Sequence, residues 1–221
     1  GFLAPGQLLT LFGARLGPRE GVAGSPDPVT GKFPAAVAGT HVWFDGYPAP
    51  LLYVGYNQVN LQAPFELAGR AATRMVVTID GLDPVEATLP LREASPGVFT
   101  LDGTRAAALN QNGTLNGPQN PAERGSIVQL FLTGQGLFDP PLETGVPSPS
   151  TPPFPAPLLP VRVTLDGQEA PVAFAGAAPG LIGLTQVNVE IPRGLRPSLE
   201  VNVSVLVGLH PAARRVTLAV R

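Results

Sequence analysis

Two imidazoles are available to this chain, His41 and His210, and no cysteine. The lack of thiols removes disulfides, thiolate metal sites and cysteine nucleophiles together. The two histidines form no HxxxH or HxH pair, and there is no EF-hand-like loop to hold a cation. Seven serines occur without a Gly-x-Ser-x-Gly elbow, and no Gly-x-x-x-x-Gly-Lys is present to cradle a phosphate. The 16 acidic residues fall mainly in turn contexts, as at Asp45, Asp80, Asp83, Asp102, Asp139 and Asp166, where a carboxylate caps backbone N–H groups. Calcium held by Asp80, Asp83 or Asp102 is the alternative use of these side chains. Asn112-Gly113-Thr114 and Asn202-Val203-Ser204 fit the glycosylation sequon, but Asn112-Gly113 reads as a hairpin turn. The inventory predicts no enzyme, no cofactor and no metal site. What it leaves is binding.

The elements that must position any binding residues come from an internal repeat. Gly6-Gln7-Leu8-Leu9-Thr10-Leu11-Phe12 returns as Gly125-Ser126-Ile127-Val128-Gln129-Leu130-Phe131. The run from Thr40 to Pro50 returns from Val161 to Pro171, and Gln58 to Pro64 returns as Gln186 to Pro192. Gly81-Leu82-Asp83-Pro84 returns as Gly208-Leu209-His210-Pro211, so four blocks recur in one order. Within each copy apolar residues alternate with polar ones, as in Val42 and Phe44 against His41 and Trp43, which predicts half-buried strands. Asp45-Gly46 and Asp166-Gly167 are tight-hairpin signals. Short strands with frequent turn signals predict two tandem immunoglobulin-like antiparallel β-sandwiches, residues 1–95 and 96–221, packed end to end. The expected cores are Leu9, Leu11, Val42, Phe44, Val59, Leu61, Val77 and Ile79, then Val128, Leu130, Val163, Leu165, Val187, Val189, Val203 and Val205, with Ile127 as the alternative to Val128. Nine prolines among residues 139–160 mark an extended, solvated loop inside the second copy, and residues 17–39 are its counterpart.

Composition bounds the function from outside. With 26 glycines, 27 prolines and 44% hydrophobic but only 14% charged residues, the chain is neither a helical bundle nor a disordered tail. A net charge of −2 gives no footprint for nucleic acid or an anionic membrane. No apolar run approaches the ~18 residues of a membrane span. The opening Gly1-Phe2-Leu3, without an initiator Met, reads as a trimmed piece of a longer precursor.

The same blocks carry a resemblance. Residues 6–13, 48–54, 58–64, the asparagine-rich 107–116 and 178–189 resemble the acidobacterial, Solibacter-type uncharacterised C-terminal domain family. The resemblance runs from about Ala4 to Val220. It implies tandem immunoglobulin-like repeats on a secreted or cell-surface bacterial protein, and it implies no activity and no functional residues.

Two surfaces follow from the repeat. The strand positions held by Arg162 and Thr164 in the second copy are His41 and Trp43 in the first, so that face tolerates polar residues and points outward. The single Trp, with Tyr47 and Tyr56 nearby in sequence, then forms a candidate binding surface, the alternative being that residues 17–39 fold back over Trp43 with Phe33. The polar stripe Gln58, Asn60, Gln62 and its copy Gln186, Asn188, Glu190 is expected to bond adjacent loops. The expected function is a non-catalytic extracellular structural module, most specifically a self-assembling subunit of a surface fibre, since sandwich edge strands accept a neighbour's extended segment. The expected interface is Phe2, Leu3, His41, Trp43 and the loop around Phe154. The alternatives are a carbohydrate-binding appendage using Trp43, Tyr47 and Tyr56, and a C-terminal anchoring or sorting module. Partners are accordingly copies of itself or neighbouring domains, with polysaccharide as the alternative, and neither nucleic acid nor inserted membrane.

Overall fold

Alternation decides which side chains go inside. Val42 and Phe44 are 0% exposed, while His41 and Trp43 between them stay half-exposed on the other face of the same strand. The computed structural model describes residues 1–221. Its first half carries β1 (Leu8–Phe12), β2 (Val22–Ala23), β3 (Ala36–Val37), β4 (Thr40–Phe44), β5 (Tyr47–Pro48), β6 (Leu51–Gly55), β7 (Gln58–Gln62), β8 (Ala72–Ile79) and β9 (Val85–Pro90). The second carries β10 (Gly97–Val98), β11 (Leu109–Asn110), β12 (Ile127–Thr133), β13 (Phe138–Asp139), β14 (Ala156–Pro157) and β15 (Val161–Leu165). It continues with β16 (Gln168–Ala170), β17 (Val172–Ala177), β18 (Thr185–Glu190), β19 (Ser198–Val207), β20 (His210–Pro211) and β21 (Val216–Val220). The only helical element is a 3-10 turn, Phe65–Leu67. No helix is long and apolar enough to cross a membrane.

The protein is all-β, two tandem immunoglobulin-like sandwiches. In unit two the sheet β10-β12-β18-β17 faces the sheet β16-β15-β19, with β21 beside β19. That is the immunoglobulin order, four strands against a three-stranded sheet extended at its edge. Unit one repeats it with β1-β7-β6 facing β4-β8-β9. The registers coincide: Phe12 pairs with Gln58 and Thr10 with Asn60, as Phe131 pairs with Gln186 and Gln129 with Asn188. Asp45 and Gly46 have φ of 48° and 87°, and Asp166 and Gly167 have 46° and 79°. Positive φ at both central residues makes a type I′ hairpin, whose twist matches the strands it joins.

Each unit has its own core. The first draws on residues from Leu3 to Leu91 around Phe44, Leu51 and Leu61, and the second on residues from Ala94 to Val220 around Leu130, Leu165 and Leu218. Every inward residue expected for the second core is buried, with Val128 rather than Ile127 facing in. In the first, Leu9, Leu11 and Ile79 pack against the core but remain partly open.

The junction corrects one expectation. The proline-rich stretch is not wholly solvated, because its residues 143–145 lie against unit one and its Ser148 bonds the Ala178 and Leu181 carbonyls of unit two. Thr144 Oγ1 accepts the Phe65 N–H at 2.9 Å and donates to Glu66 Oε2 at 2.7 Å. The Gly145 N–H donates to Gln62 Oε1 at 2.9 Å, and the Gly145 carbonyl accepts the Phe33 N–H at 2.8 Å. Phe65 meets Phe138 edge-on at 6.4 Å. Gln62 is therefore buried and bonded to an adjacent loop, as expected of the stripe. Gln58 and Asn60 do bond each other at 2.8 Å, as Gln186 and Asn188 do at 2.9 Å.

Asp102 should give the fold an acid dependence. The Arg105 and Thr104 N–H groups and the Arg105 guanidinium bond its carboxylate and lower its pKa to about 2. A depressed carboxylate pKa contributes stability above its unfolded value near 4 that is lost as pH falls toward 2. Asp102→Asn should flatten the acid limb of a pH–stability profile between about pH 4 and pH 2. An acid limb identical in the variant would show that the turn does not couple to folding.

Candidate interaction surface

The outer face of the sheet β3-β4-β8-β9 carries the residues singled out by the repeat. The hairpin at Asp45-Gly46 and the antiparallel register of β4 on β8 place Trp43 beside Pro48 on β5 and Val76 on β8. His41 lies opposite Thr78, and its ring stacks on Trp43 with centroids 6.4 Å apart and planes 12° apart. Val76 in turn lies opposite Glu86 on β9, which pairs with the neighbouring Arg74. That ion pair holds the Glu86 carboxyl below and the Arg74 guanidinium above their ordinary pKa values. The face is thus an aromatic pair bordered by valine, proline and a charged pair, with Ala36 of β3 opposite His41. In unit two the same positions hold Arg162 and Thr164, opposite Leu206 and Ser204.

The other expected residues lie elsewhere. Tyr47 sits opposite Phe44, on the inward-facing set of its strand pair, and its ring carries the Arg70 guanidinium at 5.4 Å. Tyr56 lies in the β6–β7 turn of the opposite sheet, under Arg19 at 5.3 Å. The three aromatics therefore do not form one cluster. Sequence proximity fails here because a two-residue hairpin reverses the chain between Trp43 and Tyr47 and changes the face presented. Phe154 is half-buried edge-on against Phe174 at 6.1 Å.

Leu3 is a correction. It is 4% exposed and part of the first core, fixed by its N–H to the Pro90 carbonyl at 2.9 Å and by the Arg92 N–H to its own carbonyl at 3.0 Å. Phe2, next to it, is 48% exposed and lies under the Arg92 guanidinium at 4.5 Å. One surface feature escaped the sequence. A cleft of about 440 Å³ opens between the units, lined by Pro5, Leu67, Arg70, Arg92, Leu137 and Leu158. Its walls come from segments far apart in the chain, so no local pattern announces it. No group of three or more His, Asp or Glu side chains converges to hold a metal.

No protein-family model matches the sequence, and no curated protein matches it. Among solved structures the chain is similar to the surface glycan-binding protein PbSGBP-B from Prevotella bryantii, with a TM-score of 0.31, 12% identity and 98% of this chain covered. The chain spans 36% of that protein's length. It is also similar to tandem Ig repeats of Dlar, with a TM-score of 0.24, 11% identity, 99% of this chain and 92% of that one covered. The I9–I11 tandem of titin gives a TM-score of 0.24 and 8% identity over 99% of this chain and 62% of that one. Likenesses this distant say nothing of what the chain binds. The strand order alone carries the fold.

Proposed function

We propose that the chain, as two units of residues 1–95 and 96–221, is a non-catalytic interaction module of an extracellular or cell-surface protein. In this reading it associates with copies of itself, as the subunit of a fibre, through the outer face of unit one. The observation that carries the reading is the asymmetry between the repeats. At matched positions of one sheet face, unit two presents Arg162 and Thr164 and unit one presents a stacked, half-exposed His41 and Trp43. Aromatic residues left on a sheet face supply contact area at little entropic cost, which is why they dominate binding hot spots. The junction bonds from Thr144 and Gly145 support it too, since a fibre subunit needs its two sandwiches held in a fixed relation.

Trp43→Ala should weaken self-association about tenfold or more in sedimentation velocity, with the β-rich circular dichroism spectrum unchanged. Association unaffected by the substitution would remove this face from the reading. The parallel His41 and Trp43 rings favour one second reading, stacking against a sugar ring. It requires retention on a polysaccharide column that Trp43→Ala abolishes, with a monomer in sedimentation.

A further inference from the structure

The block Gly81-Leu82-Asp83-Pro84 recurs as Gly208-Leu209-His210-Pro211, and each copy lies at the tip of a hairpin. In unit one the tip joins β8 to β9, and in unit two it joins β19 to β20. The Leu82 N–H returns to the Ile79 carbonyl at 3.0 Å, and Gly81 takes the positive φ of 75° that this turn requires of its third residue. The turn leaves Leu82 41% exposed between Asp80 and Asp83, both exposed and neither in an ion pair. Unit two's tip keeps an exposed leucine, Leu209, but has no acidic residue beside it.

The cleft between the units is complementary to the first of these tips. Leu137 and Leu158 expose 36% and 58% of their surface on its walls, above the buried Leu67. Apolar surface gathered in a concavity favours an apolar side chain that fills it. Two arginines stand beside these leucines. Arg70 is held by Asp45 at 3.1 Å. Arg92 makes no ion pair; its guanidinium covers Phe2, and its Nε–H is buried without an acceptor. A buried donor left unpaired is costly, and a carboxylate brought to it recovers that cost in a charge-assisted bond. Glu93, the one acidic side chain on the walls, is exposed to solvent.

The tip of unit one does not reach the cleft of its own chain. Strand β8 leaves the cleft beside Ala71, and its eight residues carry the backbone about 26 Å away to the tip. Unit two's tip shows how such a turn packs near these leucines. The Gly208 N–H bonds the Pro160 carbonyl at 2.9 Å, and a Cβ on Gly208 would lie 3.3 Å from the Leu159 side chain, which lines the cleft. A projection at one end of a unit and its socket at the other make a heterologous contact, which propagates into an open array unless the rotation closes a ring.

We propose that the tip Asp80–Pro84 of one copy docks in the cleft between the units of a second copy. Leu82 enters among Leu67, Leu137 and Leu158, and a carboxylate of the tip meets Arg92. The proposal rests on the self-association read above and names its head-to-tail contact, which uses no residue of the Trp43 face.

Sedimentation velocity of the full chain over a concentration series reads the contact. Leu82→Asp and Arg92→Glu should each weaken association about tenfold or more. The double variant Asp80→Arg, Asp83→Arg should be weakened as much alone and should associate again when mixed with Arg92→Glu, because the reversed charges match. Leu158→Asp lies on the exposed rim and should give the same loss where circular dichroism shows that Arg92→Glu disturbs the fold. Association lost in Trp43→Ala but untouched in Leu82→Asp and Leu158→Asp overturns this contact and leaves the self-association reading standing. Mixed charge variants that associate no better than either alone also overturn it, and a chain monomeric at every concentration overturns both.

Discussion

Asn116→Ala should destabilise the protein by about 3 kcal/mol, with a fall in Tm of about 10 °C. Asn116 is 4% exposed and makes three bonds of 2.9 Å: its Nδ2 donates to Asn110 Oδ1 and to the Ala219 carbonyl, and its Oδ1 accepts the Ala219 N–H. Asn110 passes the network on to the Asn120 carbonyl at 2.8 Å and to Thr114 Oγ1 at 3.1 Å. Truncation strands the Ala219 N–H and the Asn110 Oδ1 and leaves the Ala219 carbonyl with the Ala122 N–H alone, and the cost of a stranded buried group exceeds the worth of the bond itself. Calorimetry reads the effect directly. A fall of less than about 3 °C would mean that the 109–116 hairpin is not what fixes the last strand.

Gly134→Ala should have an effect of similar size, about 3 kcal/mol or more, and a different signature. Gly134 has φ +77°, and a Cβ there would lie 2.1 Å from the Ser95 carbonyl oxygen. The Ser95 N–H is meanwhile bonded to the Gly134 carbonyl at 2.7 Å, so the two backbones cannot part without losing that bond. Because Ser95 lies in the connection between the units, its displacement should uncouple them. The expected calorimetric trace changes from one transition to two, with the proline-rich loop no longer holding unit one. A single transition at the original temperature would show that the junction has room to yield.

The strand alternation and the two Asp-Gly hairpins were legible in the sequence, since each depends on residues at most a few positions apart, and the repeat because its blocks recur in one order. Unit two's inward set could be read residue by residue because a complete sandwich buries whatever alternation points inward. Leu9 and Leu11 carry the same pattern and are less buried, because burial also needs a neighbouring strand that no local pattern guarantees. Leu3 was expected at an association interface and is instead locked by two bonds to residues near 90, a partnership invisible at that separation. Gln62 was expected to bond a loop, but which loop could not be read for the same reason: its partner, Gly145, comes from the other unit. Asparagine richness around 107–116 was noticed without a role, and its role is the hydrogen-bond network behind β21. Of the candidate surface, His41 and Trp43 were readable from the repeat, while Tyr47 was lost to the turn that follows them.

The pairing of Leu3 with Leu91 and of Ala122 with Val220 has a mechanical consequence. In each unit the entering and leaving segments run side by side in the same direction. Tension applied at the start of one and the end of the other drags them past each other lengthwise. Their hydrogen bonds then share the load and must rupture together, whereas an antiparallel hairpin pulled from its open end peels one bond at a time. Resistance of this kind is governed by how fast the fold opens rather than by how stable it is. Of the two units, the second, whose residues 105 and 122 both grip the last strand, should yield later under a rising pull.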